Sequence, residues 1–206
     1  MEQQAGQIIT TRREMRVSSA QQKQLSPALT RKVQQVVARY GSREDGKCSF
    51  SFANAYRLGE DASRCWNADV PTLSMFDLVY GAGTSGAIVS TYVAALNKSV
   101  GAKQEMDAFA MRMCVEGIID QFAHLKLSEM ILFFWRLIHG KYREADFYGT
   151  VDAQKIYKAI DVFMVERNKE LQRQEDERKN KEIAEHRKRA MTRQEWEEYK
   201  KSATTA

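Results

Sequence analysis

The residues nearest to a chemical motif are Gly81-Ala82-Gly83-Thr84-Ser85-Gly86, a literal G-x-G-x-x-G with Glu105 and Asp107 some way downstream. In a dinucleotide-binding fold such glycines let the backbone turn tightly and approach a pyrophosphate at a helix N-terminus, and an acid about twenty residues on holds the ribose. That chemistry needs a strand before the glycines and further strand-helix units after them. Here the preceding stretch opens Pro71-Thr72-Leu73-Ser74, the pattern after Gly86 is helical, and no Gly-Lys-Ser/Thr follows to make a phosphate-binding loop. The expected role of Gly81–Gly86 is a turn between two helices, with a nucleotide-binding enzyme as the remote alternative.

Other reactive side chains form no constellation. His124, His139 and His186 are far apart and lack an H-E-x-x-H or Cys-x-x-Cys companion. Acidic pairs such as Glu116 with Asp120, or Asp146 with Asp152, have no spacing that sets them apart from the charged side of a helix. Cys48, Cys65 and Cys114 match neither a disulfide framework nor a zinc site, which suits a reducing compartment, and Cys114 falls where a thiol is ordinary packing. The expectation is a protein that is not an enzyme, with no cofactor and no metal.

Charge points to a different activity. Residues 1–47 hold nine Lys/Arg against four Asp/Glu, whereas the remainder is nearly balanced within a net charge of +5. Flexible cations release counterions when they meet phosphates. Arg12, Arg13, Arg16 and Lys23, followed by Arg31, Lys32 and Arg39 on the first helix, are therefore the candidate nucleic-acid contacts. A second candidate surface, for a protein partner, combines basic and aromatic groups: Arg136, Lys141, Tyr142, Phe147 and Tyr148. The favoured reading of this second group is the plainer one, a hydrophobic plug beneath a loop.

The elements that must position these residues read as helices. Apolar residues make up 43% of the chain, with only Pro27 and Pro71 to interrupt it, and Gly is absent after Gly149. Ser26-Pro27 is an N-cap with proline at the first helical position, and Gly41 is the stop. Leu29, Val33, Val36, Val37 and Tyr40 form the apolar face between them. Residues 42–70 read as a connector. Two helices flank the glycine turn. The next has Met106, Phe109, Ala110, Met113, Gly117, Ile118 and Phe122 on its inner side, with Arg112, Glu116 and Asp120 outside. Ser128 is the expected cap of a helix, Met130 to Ile138, that is apolar all round and belongs at the centre. Asp152 caps the last helix, with Ile156, Ala159, Ile160 and Phe163 inward. That helix runs on into a stretch where 22 of the 36 residues from 166 to 201 are charged. Leu171 and Ile183 are too sparse there for a coiled-coil seam. Thr192 with Glu195 reads as a second cap.

The expected fold class is all-α: an irregular helical bundle with a long charged C-terminal helix. Residues 1–25 form a flexible basic arm, 26–165 the helical domain and 166–206 the charged extension. Its core is expected to include Phe109, Met113, Ile118, Ile131, Phe134, Leu137, Ile160 and Phe163. Residues 1–11 are mostly polar and read as no export leader, and the longest apolar run stops at Arg136, far short of the ~20 residues of a spanning helix. A cytoplasmic protein without membrane contact is expected.

Leu125-Lys126-Leu127-Ser128-Glu129-Met130, Phe133-Phe134, Gly140-Lys141-Tyr142, Phe147-Tyr148-Gly149, Val151-Asp152 and Glu166-Arg167, in that order and spacing, resemble a family of uncharacterised small helical proteins of phages and mobile elements in gut bacteria. The resemblance covers roughly residues 70–200, from Pro71-Thr72-Leu73 and Tyr80-Gly81 to Glu195-Trp196. It implies no active site. It implies an accessory protein of a mobile element that assists DNA replication or maintenance through a protein partner, such as a replication protein, with weak nonspecific nucleic-acid binding. A structural or regulatory homodimer without nucleic acid is the alternative.

Overall fold

The structure, a computed structural model, describes residues 26–41, 52–101, 104–145, 147, 150–190 and 193–204. The fold is all-α. Among the described residues β-structure amounts to two isolated bridges, Thr72 with Lys126 and Gln104 with Thr150. Residues up to Val162 make one compact unit and those from Phe163 onward another.

Helix α1 (Pro27–Tyr40) begins and ends where its local chemistry dictates. Ser26 Oγ accepts the Leu29 N–H at 3.3 Å, Pro27 fills the first turn, and Gly41, at φ 92°, closes the helix by donating to the Val37 carbonyl. Leu29, Val33, Val36, Val37 and Tyr40 are its only residues that are not fully exposed. They turn towards α4 (Leu73–Tyr80), where Tyr40 meets Phe76 edge-on at 5.5 Å.

The stretch expected to be a connector is helical over most of its described part. It holds α2 (Phe52–Arg57), a 3-10 turn (Leu58–Glu60) and α3 (Ala62–Asn67). Elements this short have little intrinsic stability; packing explains them. Cys65 and Trp66 are buried, and the chain passes so close to the later helix that carries Trp135 that any Cβ on Gly59 would collide with that side chain.

After α4, Gly81 and Gly83 take positive φ and lead into α5 (Thr84–Ser99), which buries Val89, Tyr92, Val93 and Leu96. Helix α6 (Ala108–Phe122) is capped by Asp107, whose carboxylate accepts the Ala110 N–H at 2.8 Å. Its inner side corrects the sequence expectation. Cys114, Val115, Ile118 and Phe122 are buried, whereas Phe109 is 73% exposed and Met113 51%. At about 100° per residue, Phe109 and Met113 share a side with Arg112, Glu116 and Asp120. Burying the two apolar groups would bury those charges as well, so the charged stripe faces outward and carries them with it.

Helix α7 (Leu127–Ile138) is the centre of this unit, as its continuous apolar run predicts; it buries residues 127 to 134 and Leu137. Phe134 stacks on Tyr92 at 5.4 Å, and Phe133 meets Phe134 edge-on at 5.0 Å. The helix starts one residue before the expected cap. Lys126 is the N-cap, and Glu129 Oε2 accepts its N–H at 2.8 Å. Ser128 has another use: its hydroxyl donates to the Cys65 carbonyl at 2.8 Å, so it joins the end of α3 to the start of α7.

A second 3-10 turn (Arg143–Ala145) precedes α8 (Ala153–Arg189). Asp152 Oδ1 accepts the Gln154 N–H at 2.8 Å at the start of α8, and Ile156, Ala159, Ile160 and Phe163 are buried. Of the expected core, Ile118, Ile131, Phe134, Leu137, Ile160 and Phe163 are thus inside. The last element is α9 (Arg193–Thr204); Thr192, its expected cap, lies outside the described residues. No helix among the described residues is long and apolar enough to cross a membrane.

Candidate nucleic-acid interface

Helix α1 carries Arg31, Lys32 and Arg39 and no acidic residue, and all three cations are exposed. Its apolar face is turned to α4, so the cationic side is presented outward. Beside it runs a groove of about 480 Å³, lined by Lys32, Arg39 and Tyr40 of α1, Pro71 and Met75 at the start of α4, and Lys126 at the start of α7. Among the described residues Asp69 is the only acid of the lining.

Two of these cations are already oriented. Arg39 Nη1 donates to the Asp69 carbonyl at 2.6 Å, and its guanidinium lies 5.7 Å from the Tyr40 ring centre. Lys126 Nζ reaches the Trp66 and Ala68 carbonyls, each at 3.4 Å. Neutral carbonyls fix the side chains without cancelling their charge, so the rim keeps three positive groups. Such a site can attract phosphate oxygens without reading bases.

Of the sequence-predicted contacts, Lys32 and Arg39 meet in this groove, and Arg31 stands on the same helix outside its lining. Arg12, Arg13, Arg16 and Lys23 lie outside the described residues. Lys126 was not anticipated. It is brought to Asp69–Thr72 by a short antiparallel pairing in which Leu73 N–H donates to Leu125 O at 2.9 Å and Leu127 N–H to Pro71 O at 3.0 Å. No local signal in the sequence announces that pairing.

The second group does not assemble as a partner surface among the described residues. Tyr142 is buried at 3% exposure and packs on Phe133 at 6.0 Å, so it is core and not a partner contact. Its ring extends the apolar cluster of α7, where burial outweighs what an exposed aromatic would gain. Arg136 is half-buried with its guanidinium 5.9 Å from the Trp66 ring centre, Phe147 is half-buried, and only Lys141 is exposed. Tyr148 lies outside the described residues.

The glycine turn has no dinucleotide geometry. A helix, α4, precedes it where a strand is required. The Asp77 carboxylate accepts both the Ser85 N–H at 2.9 Å and the Ser85 hydroxyl at 2.5 Å, and so occupies the positive end of α5 where a pyrophosphate would lie. Asp107, the candidate ribose acid, is engaged as the cap of α6.

Burial pushes the Cys65 thiol up to about 12, helped by Asp61, and the Cys114 thiol up to about 11, helped by Asp152. Both are held protonated at neutral pH. His139 Nδ1 is 2.7 Å from the Trp135 carbonyl, and its ring stacks on Trp135 at 4.0 Å. Among the described residues no three His, Cys, Asp or Glu side chains gather as metal ligands.

No curated protein matches the chain, and no solved structure does. Residues 108–204, from the start of α6 to the end of α9, are similar to a family of unknown function, DUF6633, so the match takes in Lys126 and leaves out the cations of α1.

Proposed function

We propose that the chain is a non-enzymatic accessory protein of a phage or other bacterial mobile element, working in the cytoplasm in DNA replication or maintenance through protein contacts and weak, sequence-tolerant contacts to nucleic-acid phosphates. The supporting observation is the convergence of Lys32, Arg39 and Lys126 on one groove beside a helix that carries no acid. Cations on a preformed groove bind a polyanion mainly by releasing its counterions, which sets the expected salt dependence.

Fluorescence anisotropy with labelled single-stranded and duplex DNA at two salt concentrations tests this reading. Binding should weaken as salt rises. Replacing Arg31, Lys32 and Arg39 together by Ala should lower the salt slope by about one for every phosphate that is no longer neutralised. Removing residues 1–25 should lower it further if Arg12, Arg13, Arg16 and Lys23 also take part. Equal binding by all three proteins would move the site elsewhere, and no binding at low salt would sink the nucleic-acid part of the proposal.

A second reading, a structural or regulatory dimer without nucleic acid, draws support from Phe109 and Met113. Large apolar side chains exposed one turn apart on α6 are an unusual expense for a surface that meets only water. Sedimentation across a concentration series separates the two readings, because a protein that stays monomeric has no such dimer.

A further inference from the structure

Beyond Phe163 no described residue is buried, yet α8 remains helical as far as Arg189. Most helices in proteins owe their stability to one packed face, because a short helix alone in water is marginal. Among the described side chains of 164–189 none is buried, and the half-buried ones, Met164, Glu166, Arg167, Glu170, Gln174 and Glu175, are polar in five cases out of six, so no apolar face is packed. Their three exposed large apolar groups are Val165, Leu171 and Ile183, separated by six and twelve residues. None of these gaps matches the three, four or seven that places side chains on a shared stripe. Between Val165 and Ile183 the same side of the helix carries Lys169, Gln172, Asp176 and Lys179. A second copy packed along that side would have to bury those polar and charged groups.

What the segment has instead is a repeated ionic bracket. Arg173 donates to Glu170, with Nε to Oε2 at 2.9 Å and Nη2 to Oε1 at 2.5 Å, and also to Glu177 one turn ahead. Arg178 repeats the pattern, with Nε to Glu175 at 3.0 Å, Nη2 to Glu175 at 2.8 Å and Nη1 to Glu182 at 2.6 Å. Both follow Glu-x-x-Arg-x-x-x-Glu, and the second starts five residues after the first, so the brackets overlap along the helix. Lys179 with Glu175, at 3.6 Å, and Gln172 with Asp176, at 2.9 Å, add further rungs. In every bracket a Glu lies N-terminal to the Arg, and the bidentate fork fixes the geometry on that side. Intrinsic preference points the same way: the segment has no Gly or Pro, only Val165 and Ile183 are β-branched, and Glu, Lys, Arg and Gln dominate.

We propose that residues 164–189 form a self-supporting helix, a stiff monomeric rod held by overlapping Glu–Arg–Glu brackets and not by burial against a partner. At about 1.5 Å per residue the rod is about 40 Å long. Its function is that of a spacer, which sets a fixed length of chain without offering a binding face. This inference is independent of what α1 binds.

Residue-resolved Cα chemical shifts of the full-length protein, with sedimentation of the same samples, test it. Helical shifts across 164–189 are expected in a monomer and should be the same at two protein concentrations tenfold apart. The double substitution R173Q/R178Q should remove roughly a third or more of the helical shift there, while the signals of Tyr92 and Phe134 stay in place. Raising salt to about 1 M should reproduce part of that loss in the unsubstituted protein. Coil shifts in the unsubstituted monomer would overturn the proposal. So would helicity that appears only as a dimer forms, or helicity that neither the substitutions nor salt disturbs.

Discussion

Helices α7 and the 164–189 part of α8 are opposite solutions to one problem. α7 is apolar on nearly every side and is buried from residue 127 to 134; the later part of α8 is charged on nearly every side, and none of its described side chains is more than half-buried. Each backbone hydrogen-bonds internally in the same way, so the difference lies in what offsets the entropy of ordering the chain. For α7 it is area removed from water, supplied by residues distant in sequence. For 164–189 it is intrinsic preference and ion pairs three and four residues apart, supplied by the segment itself. A helix can therefore be equally regular in two places and answer to different perturbations.

The sharpest way to break this contrast is Phe134→Ala. Phe134 is fully buried against Tyr92 and Phe133, and its truncation should cost about 3–5 kcal/mol in urea unfolding of the first unit. The helical shifts of 164–189 should not change. Their collapse along with the core would show that the two helices share one source of stability.

Next in size is Gly59→Ala. Its new Cβ would meet the Trp135 Cβ, an atom tied to the backbone of α7, so the elements must part, at about 1–3 kcal/mol. Gly117→Ala supplies the control. There the new Cβ would meet the hydroxyl and outer ring carbons of Tyr157, the far end of a side chain that can swing away by giving up its 3.1 Å hydrogen bond to the Cys114 carbonyl. Thermal unfolding should rank Gly59→Ala as clearly the more damaging.

Acid sharpens the other half of the comparison. Hydrogen bonds from Arg173 hold the Glu170 carboxyl below the usual glutamate range, and those from Arg178 do the same for Glu175. A carboxyl lowered in the folded state stabilises it above the unfolded value and loses that contribution as pH falls through the lowered one. The helical shifts of 164–189 should then hold from pH 8 to about 5 and decline below about pH 4. A decline that began near neutrality would point to groups other than these glutamates.

The smallest effect belongs to Phe109→Ser. At 73% exposure its removal should move the unfolding midpoint of the monomer hardly at all, within about 0.5 kcal/mol. A destabilisation comparable with that of Phe134→Ala would restore Phe109 to the core.

Much of the architecture is decided within a few residues along the chain, and that part is legible from the sequence. Ser26-Pro27 starts α1, Gly41 stops it, Asp152 starts α8, and the unbroken apolar run of α7 demands the centre, because caps and hydrophobic period act over one or two turns. The balanced charges beyond residue 165 likewise announce a solvated helix. What the tertiary structure alone decided involves residues that meet across long stretches of chain. Six-residue helices such as α2 and α3 have no stability to advertise and exist through Trp66, Cys65 and the tight passage at Gly59. Ser128 looks like a cap until the Cys65 carbonyl arrives to take its hydroxyl, and Lys126 becomes part of a basic groove only when the pairing of 71–74 with 123–127 brings it to α1. Tyr142 goes inside because Phe133 is there to receive it. Helix α6 has apolar residues on both sides, and the choice between them fell to the packing partners and to the cost of burying Arg112, Glu116 and Asp120, since composition on one helix cannot say which side its neighbours will cover.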